Sequence, residues 1–196
     1  MENKYKHTGE LLKEKTNPII EIFFEYAQLK NIYRQGWLDH GVLKEHCESD
    51  ADHVFMVALL GYTIATEHRP DLNALKVMQL GLFHELGEIY AGDTTPRDGL
   101  SKEEKYKKEF ESVKKTFSKL PNPQKYIDIW LEAEKAESTE AKFIDQVDKL
   151  ELALQASLYE KLDCKNLDEF FTYYEERITS PELKNILKTI INDRKQ

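Results

Sequence analysis

Apolar residues recur along most of this chain at the three-to-four-residue interval of an amphipathic helix, and no stretch alternates convincingly like a strand. Ile19, Ile22, Phe23 and Tyr26 mark a first helix, opened by Thr16-Asn17 and by Pro18, since proline suits the first helical position. Gly36 interrupts the chain at RQGW, and residues 37–47 read as a loop. Ser49 opens a second helix with Asp52 as its capping-box partner. That segment, DADHVFMVALLGYTIATEH, is almost wholly apolar after His53, which predicts a buried central helix ending before Pro70. A third helix is predicted from about Asp71 to Gly92, with Leu75, Met78, Leu82 and Leu86 as its core stripe.

Residues 93–100, DTTPRDGL, form a Pro/Gly loop of the kind that often carries function. SKEEKYKKEFESVKKTF is a charged amphipathic helix, PNPQ breaks the chain, and a helix follows at YIDIWLEAE. Ser138 or Thr139 caps a long helix, TEAKFIDQVDKLELALQASLYEKL, and FFTYYEERI and ELKNILKTIIND close the sequence. The expected fold class is all-α: one helical-bundle domain over residues 1–196, without repeats or linkers.

Composition narrows the function. Apolar residues at 40% suffice for a core, and charged residues at 33% suit exposed helix faces. A net charge of -8 argues against a nucleic-acid polymer as partner but leaves room for a small phosphorylated ligand held by one or two arginines. Cys47 and Cys164 stand far apart in no CxxC pattern, and MENKYKHTGELLKEK lacks an apolar export core. With no long apolar run, a cytoplasmic location with no membrane is expected.

Chemistry concentrates at His53, His84, Glu85 and Asp148, with Glu88 and Asp93 close behind. On an unbroken third helix His84 and Glu88 share a face. Asp145, Asp148 and Glu151 recur among Ile144, Val147, Leu150 and Leu154, where acids are costly unless paired or bound to a cation. Imidazoles and carboxylates without a thiolate suit Mn, Co, Fe, Ni or Zn, with Mg also compatible. No histidine follows position 84, so a single divalent ion is expected. On the residues alone, Arg34 reads as a cation at a helix C-terminus, Trp37 as a loop-to-core anchor and Asp93 as a turn cap.

The order His53, His84-Glu85, Asp148 resembles the H…HD…D pattern of the HD-domain metal-dependent phosphohydrolases. RQGW with ESDADH, then HELGEIYAGDTTP, then DQVDKLELALQASLYE are similar to the small HD-domain 5′-deoxynucleotidases over roughly residues 30–160. This resemblance implies an HD-type helical bundle with the metal site in its core. It implies His53, His84, Glu85 and Asp148 as ligands, Glu88 as general acid/base and Arg34 as the 5′-phosphate clamp. It also places Trp37 against the nucleoside and Asp93, with Thr94, at the sugar. The implied reaction is hydrolysis of deoxyribonucleoside 5′-monophosphates, and relatives form homodimers.

The family carries aspartate where this chain has Glu85, which lengthens the reach by about 1.5 Å. A changed rotamer, or bidentate or water-mediated ligation, preserves activity with a slower rate or another preferred metal. Two alternatives stand beside this reading: a phosphodiesterase or other small phosphate-ester hydrolase, and a catalytically weakened nucleotide-binding protein.

Overall fold

The computed structural model describes residues 6–194. Its α-helices are α1 (Pro18–Ala27), α2 (Gln35–Asp39), α3 (Asp50–His68), α4 (Ala74–Phe83), α5 (Glu88–Ala91), α6 (Lys102–Phe117), α7 (Gln124–Lys135), α8 (Thr139–Lys161), α9 (Asp168–Glu175) and α10 (Pro181–Asp193). Among the described residues there is no sheet, and extended backbone pairs only at an isolated antiparallel bridge, Tyr33 with Ser49. The all-α expectation is met. No described helix is long and apolar enough to cross a membrane.

The chain forms two compact units. The first comprises the residues up to Asp39, Leu43–Val54 and Phe83–Leu131. Its core packs Ile22 and Leu29 with Leu86, Ile89, Val113, Phe117 and Trp130. Aromatic stacking reinforces it, with Phe117 facing Tyr126 at 5.2 Å and Phe83 at 6.0 Å between ring centroids. The second unit comprises His40–Val42, Phe55–Leu82 and the residues from Glu132 onward. There α3, α4 and α8 approach closely through glycine: a Cβ on Gly81 would lie 2.9 Å from the Ala58 Cα, and one on Gly61 2.6 Å from Ile144 Cδ1.

Local signals set the helix starts. The Asn17 side chain accepts from Ile19 N–H ahead of α1, and Ser138 accepts from Ala141 N–H ahead of α8. Asp52 reaches back to the N–H and hydroxyl of Ser49, at 2.8 and 2.7 Å. Three expectations need correction. Residues 35–39 are helical rather than loop, around a Trp37 that is fully enclosed. The α3 helix is not buried all round, since Phe55 and Leu59 are 60% and 47% exposed opposite buried Val57 and Ala58. The third helix is not continuous: α4 stops at Phe83, a turn carries residues 84–87, and α5 restarts at Glu88. Leu75 and Leu82 face outward, and Val77 and Leu80 form the core stripe instead. The break has a packing cause. A Cβ on Gly87 would sit 2.7 Å from Glu109 Cβ, so this turn is pressed against α6. Leu86 and Ile89 then face the aromatic core of the first unit.

Candidate metal centre

Backbone pairing assembles the site within the first unit. Beside the Tyr33–Ser49 bridge, Arg34 N–H donates to Glu48 C=O at 3.1 Å and Asp50 N–H to Ile32 C=O at 3.2 Å. These bonds lay Arg34 beside Asp50, one helical turn ahead of His53. His53 is completely buried. His84, leading the turn after α4, brings its Nε2 to 3.3 Å from the Nε2 of His53. Glu85 Oε1 lies 3.8 Å from the His53 nitrogen and 3.9 Å from that of His84. Two ligands on a tetrahedral ion with metal–nitrogen bonds of 2.0–2.1 Å stand about 3.4 Å apart. The two imidazoles therefore have ligand-like spacing, and with Glu85 they form a borderline-hard donor set suited to a divalent transition metal.

Four carboxylates gather around Arg34. Its Nη1 lies 3.1 Å from Glu85, 3.4 Å from Asp93, 3.7 Å from Glu88 and 3.9 Å from Asp50. Asp93 also accepts from Gln35 N–H. Neither oxygen of Asp50 or of Glu88 accepts an N–H bond among the described residues. The two carboxyl groups instead bond to one another when Glu88 carries a proton. Burial, reinforced by Asp50, Glu85 and Asp93, holds Glu88 well above the usual carboxylate range. Burial pushes Asp50 up to about 8, with Arg34 opposing and Asp93 adding to the shift. Burial acts on Glu85 in the same direction, but Arg34, both imidazoles and Lys105 outweigh it and hold Glu85 well below its ordinary value. Within the cluster the surroundings thus favour the ionised form of Glu85 and the protonated form of Glu88.

A family model described as HD domain matches residues 26–190. The chain belongs to the HD domain family. A human protein named 5′-deoxynucleotidase HDDC2 is 33% identical over 172 residues, 86% of this chain and 82% of its own length. The Saccharomyces cerevisiae protein named 5′-deoxynucleotidase YGK1 is 33% identical over 174 residues, covering 85% and 78%. A solved structure, PH0347 protein from Pyrococcus horikoshii OT3, superposes with a TM-score of 0.74 at 31% identity, covering 87% of this chain and 97% of that one.

Against this HD domain background the remaining expected site residues fall as follows. The first unit holds His53, His84, Glu85, Glu88, Asp93 and Arg34 in one neighbourhood. Because His84 lies in the turn between α4 and α5, it and Glu88 do not share a helix face as expected. Thr94 follows Asp93 and is half-buried. Trp37 is 1% exposed, and its Nε1–H donates to Glu48 Oε1 at 2.6 Å. In the second unit Asp148 is half-buried on α8, between exposed Asp145, paired with Lys149 at 2.6 Å, and fully enclosed Glu151.

The sequence reading missed three residues of this HD domain: Asp50, Glu48 and Lys105. Asp50 looks like a favourable acid in the first turn of a helix, a role that hides it. Lys105 sits in a run of charge on α6, and spacing alone does not set it apart from its neighbours.

Proposed function

We propose that this chain is a 5′-deoxynucleotidase that hydrolyses a deoxyribonucleoside 5′-monophosphate to the deoxynucleoside and inorganic phosphate. The observation that carries the reading is one enclosed neighbourhood holding two imidazoles at ligand spacing with Glu85, Glu88 and Arg34. The names of the relatives above supply the substrate class.

In this reading His53, His84, Glu85 and Asp148 hold one divalent ion. When bound, that ion supplies Lewis acidity and an acidified water. Glu88, buried and protonated, gives its proton to the leaving 5′-oxygen. Asp93, with Thr94 beside it, accepts from the sugar hydroxyl, and Arg34 faces the phosphate from the opposite side. Trp37 acts through Glu48, fixing the segment that carries Arg34 and Asp50. The extra methylene of Glu85 is used to reach both the imidazoles and Arg34 from a turn position.

The chain works as one HD domain over residues 1–196, as a homodimer in the cytoplasm. Cys47 and Cys164 are not joined in a disulfide, which suits a reducing compartment. The exposed apolar face of α3 around Phe55 and Leu59 suits self-association.

The test is phosphate release from deoxy- and ribonucleoside monophosphates by metal-stripped protein, with Mn, Co, Ni, Fe, Zn or Mg added back. Release from the deoxynucleotides in one or two metals is expected. Saturable nucleotide binding with no release in any metal overturns the enzyme reading in favour of a binding protein. Light scattering at micromolar concentration checks the dimer.

A further inference from the structure

The proposed substrate is a phosphate dianion, and it must enter a neighbourhood already rich in negative charge. Arg34 faces Glu85, Asp93, Glu88 and Asp50 through one nitrogen, so its charge is shared before any ligand arrives. A second side-chain cation with freedom to move would complement the ion and Arg34 on the phosphate side. The first turn of α6 supplies one.

The α6 helix is pressed onto the turn that carries His84 and Glu85. Gly87 has no side chain, and Glu109, 6% exposed, packs against the space a Cβ would fill. Lys105 precedes Glu109 by one helical turn on the same face and brings its Nζ to 3.3 Å from Glu109 Oε1. Its side chain is nevertheless 43% exposed, so the ammonium keeps access to solvent. Of the other cations of this helix, Lys114 pairs with Glu111 and Lys115 lies over the Tyr90 ring. Glu85, Glu109, Glu88 and Asp93 hold the Lys105 ammonium firmly charged against the opposing effect of burial.

We infer that Lys105 is a substrate-binding residue, swinging from Glu109 to the 5′-phosphate when the nucleotide enters beside Arg34. The inference rests on the nucleotidase reading and adds to it a cation on α6. A lysine suits the role because its ammonium is a compact charge on a flexible stem and can exchange one carboxylate for a phosphate oxygen.

The experiment compares wild type with Lys105→Gln, Lys105→Arg and Glu109→Gln under the best metal found for wild type. For Lys105→Gln we expect KM to rise about tenfold, kcat to change by less than about threefold, and inhibition by inorganic phosphate to weaken in step with KM. Metal content and thermal midpoint should match wild type, and Lys105→Arg should recover most of the loss. Glu109→Gln removes the ion pair but leaves the cation, so its KM should not rise. Acetylation footprinting of the wild-type protein gives an independent reading: inorganic phosphate should protect Lys105 and leave Lys108 reactive.

Unchanged KM and unchanged phosphate inhibition in Lys105→Gln, or an equal rise in KM in Glu109→Gln, overturns the inference while leaving the nucleotidase standing. Absence of phosphate protection at Lys105 overturns it as well. If wild type releases no phosphate with any metal, the nucleotidase reading fails first and this inference goes with it.

Discussion

Two arginines in this molecule hold carboxylates, and they do so in opposite ways. Arg69, in the second unit, gives Nε and Nη2 to the two oxygens of Asp71 at 2.9 and 2.7 Å, and Nη1 to Glu182 at 3.1 Å. Its guanidinium also lies 5.4 Å from the Phe143 ring centroid. Every arm has a well-placed acceptor, and nearby water screens the extra negative charge. Arg34, in the first unit, is more deeply enclosed and faces four carboxylates through one nitrogen, none of them in a two-pronged arrangement. The first arrangement is complete in itself. The second is short of positive charge, and burial among like charges favours the protonated forms of Glu88 and Asp50. An ion pair that ties a fold together can be told from one that belongs to a working site by whether its charges are balanced locally.

The contrast can be broken most decisively at the imidazoles. His84→Ala, and Asp148→Ala on the other unit, should abolish stoichiometric metal in elemental analysis and lower phosphate release by on the order of a thousandfold or more. A variant that retains wild-type turnover refutes the ligand assignment.

Next in size is the removal of each arginine. Arg34→Ala strands buried carboxylates and should cost about 3–5 kcal/mol in urea unfolding. Arg69→Ala should move the midpoint much less, because Asp71, which takes two of its three bonds, is 58% exposed. Equal effects from the two variants would dissolve the distinction drawn above.

The smallest effect is a slope. Asp50 is raised to about 8 in the fold, above the ordinary value it regains on unfolding, so the native state binds the extra proton. By linkage its contribution to metal-free stability is greatest at low pH and is lost as pH rises toward 8. Denaturant midpoints measured in chelator from pH 5 to 8 should fall with rising pH, and Asp50→Asn should flatten that trend. A slope that survives the substitution assigns the titration to another group.

What could be read from the sequence was local. Asn17, Ser49 with Asp52, and Ser138 declare their helix starts through side chains that bond two or three residues ahead, and each does so in the structure. The grouping of His53, His84 and Glu85 was legible because histidine and acid at apolar positions have few other reasons to be there, and the structure brings the three together. The interruption after Phe83 was not legible, since it depends on Gly87 meeting Glu109, a partner 22 residues away. Asp50 escaped notice for the same kind of reason. Its burial follows from the backbone pairing of residues 32–34 with 48–50, which leaves no mark on the periodicity around it. Trp37 was placed on a loop, and only the structure reveals the short helix and the bond to Glu48 that hold it.

The bond from Arg34 to Glu85 spans 51 residues of chain, and that to Asp93 spans 59. During synthesis the N-terminal stretch through Arg34 therefore leaves the ribosome long before any of those acids exists to receive it. Until residues 84–93 have emerged, the growing chain lacks His84 and both of the acids that Arg34 bonds. The charge cluster around Arg34 can therefore close only after that later stretch has been made, however early the arginine itself is in place.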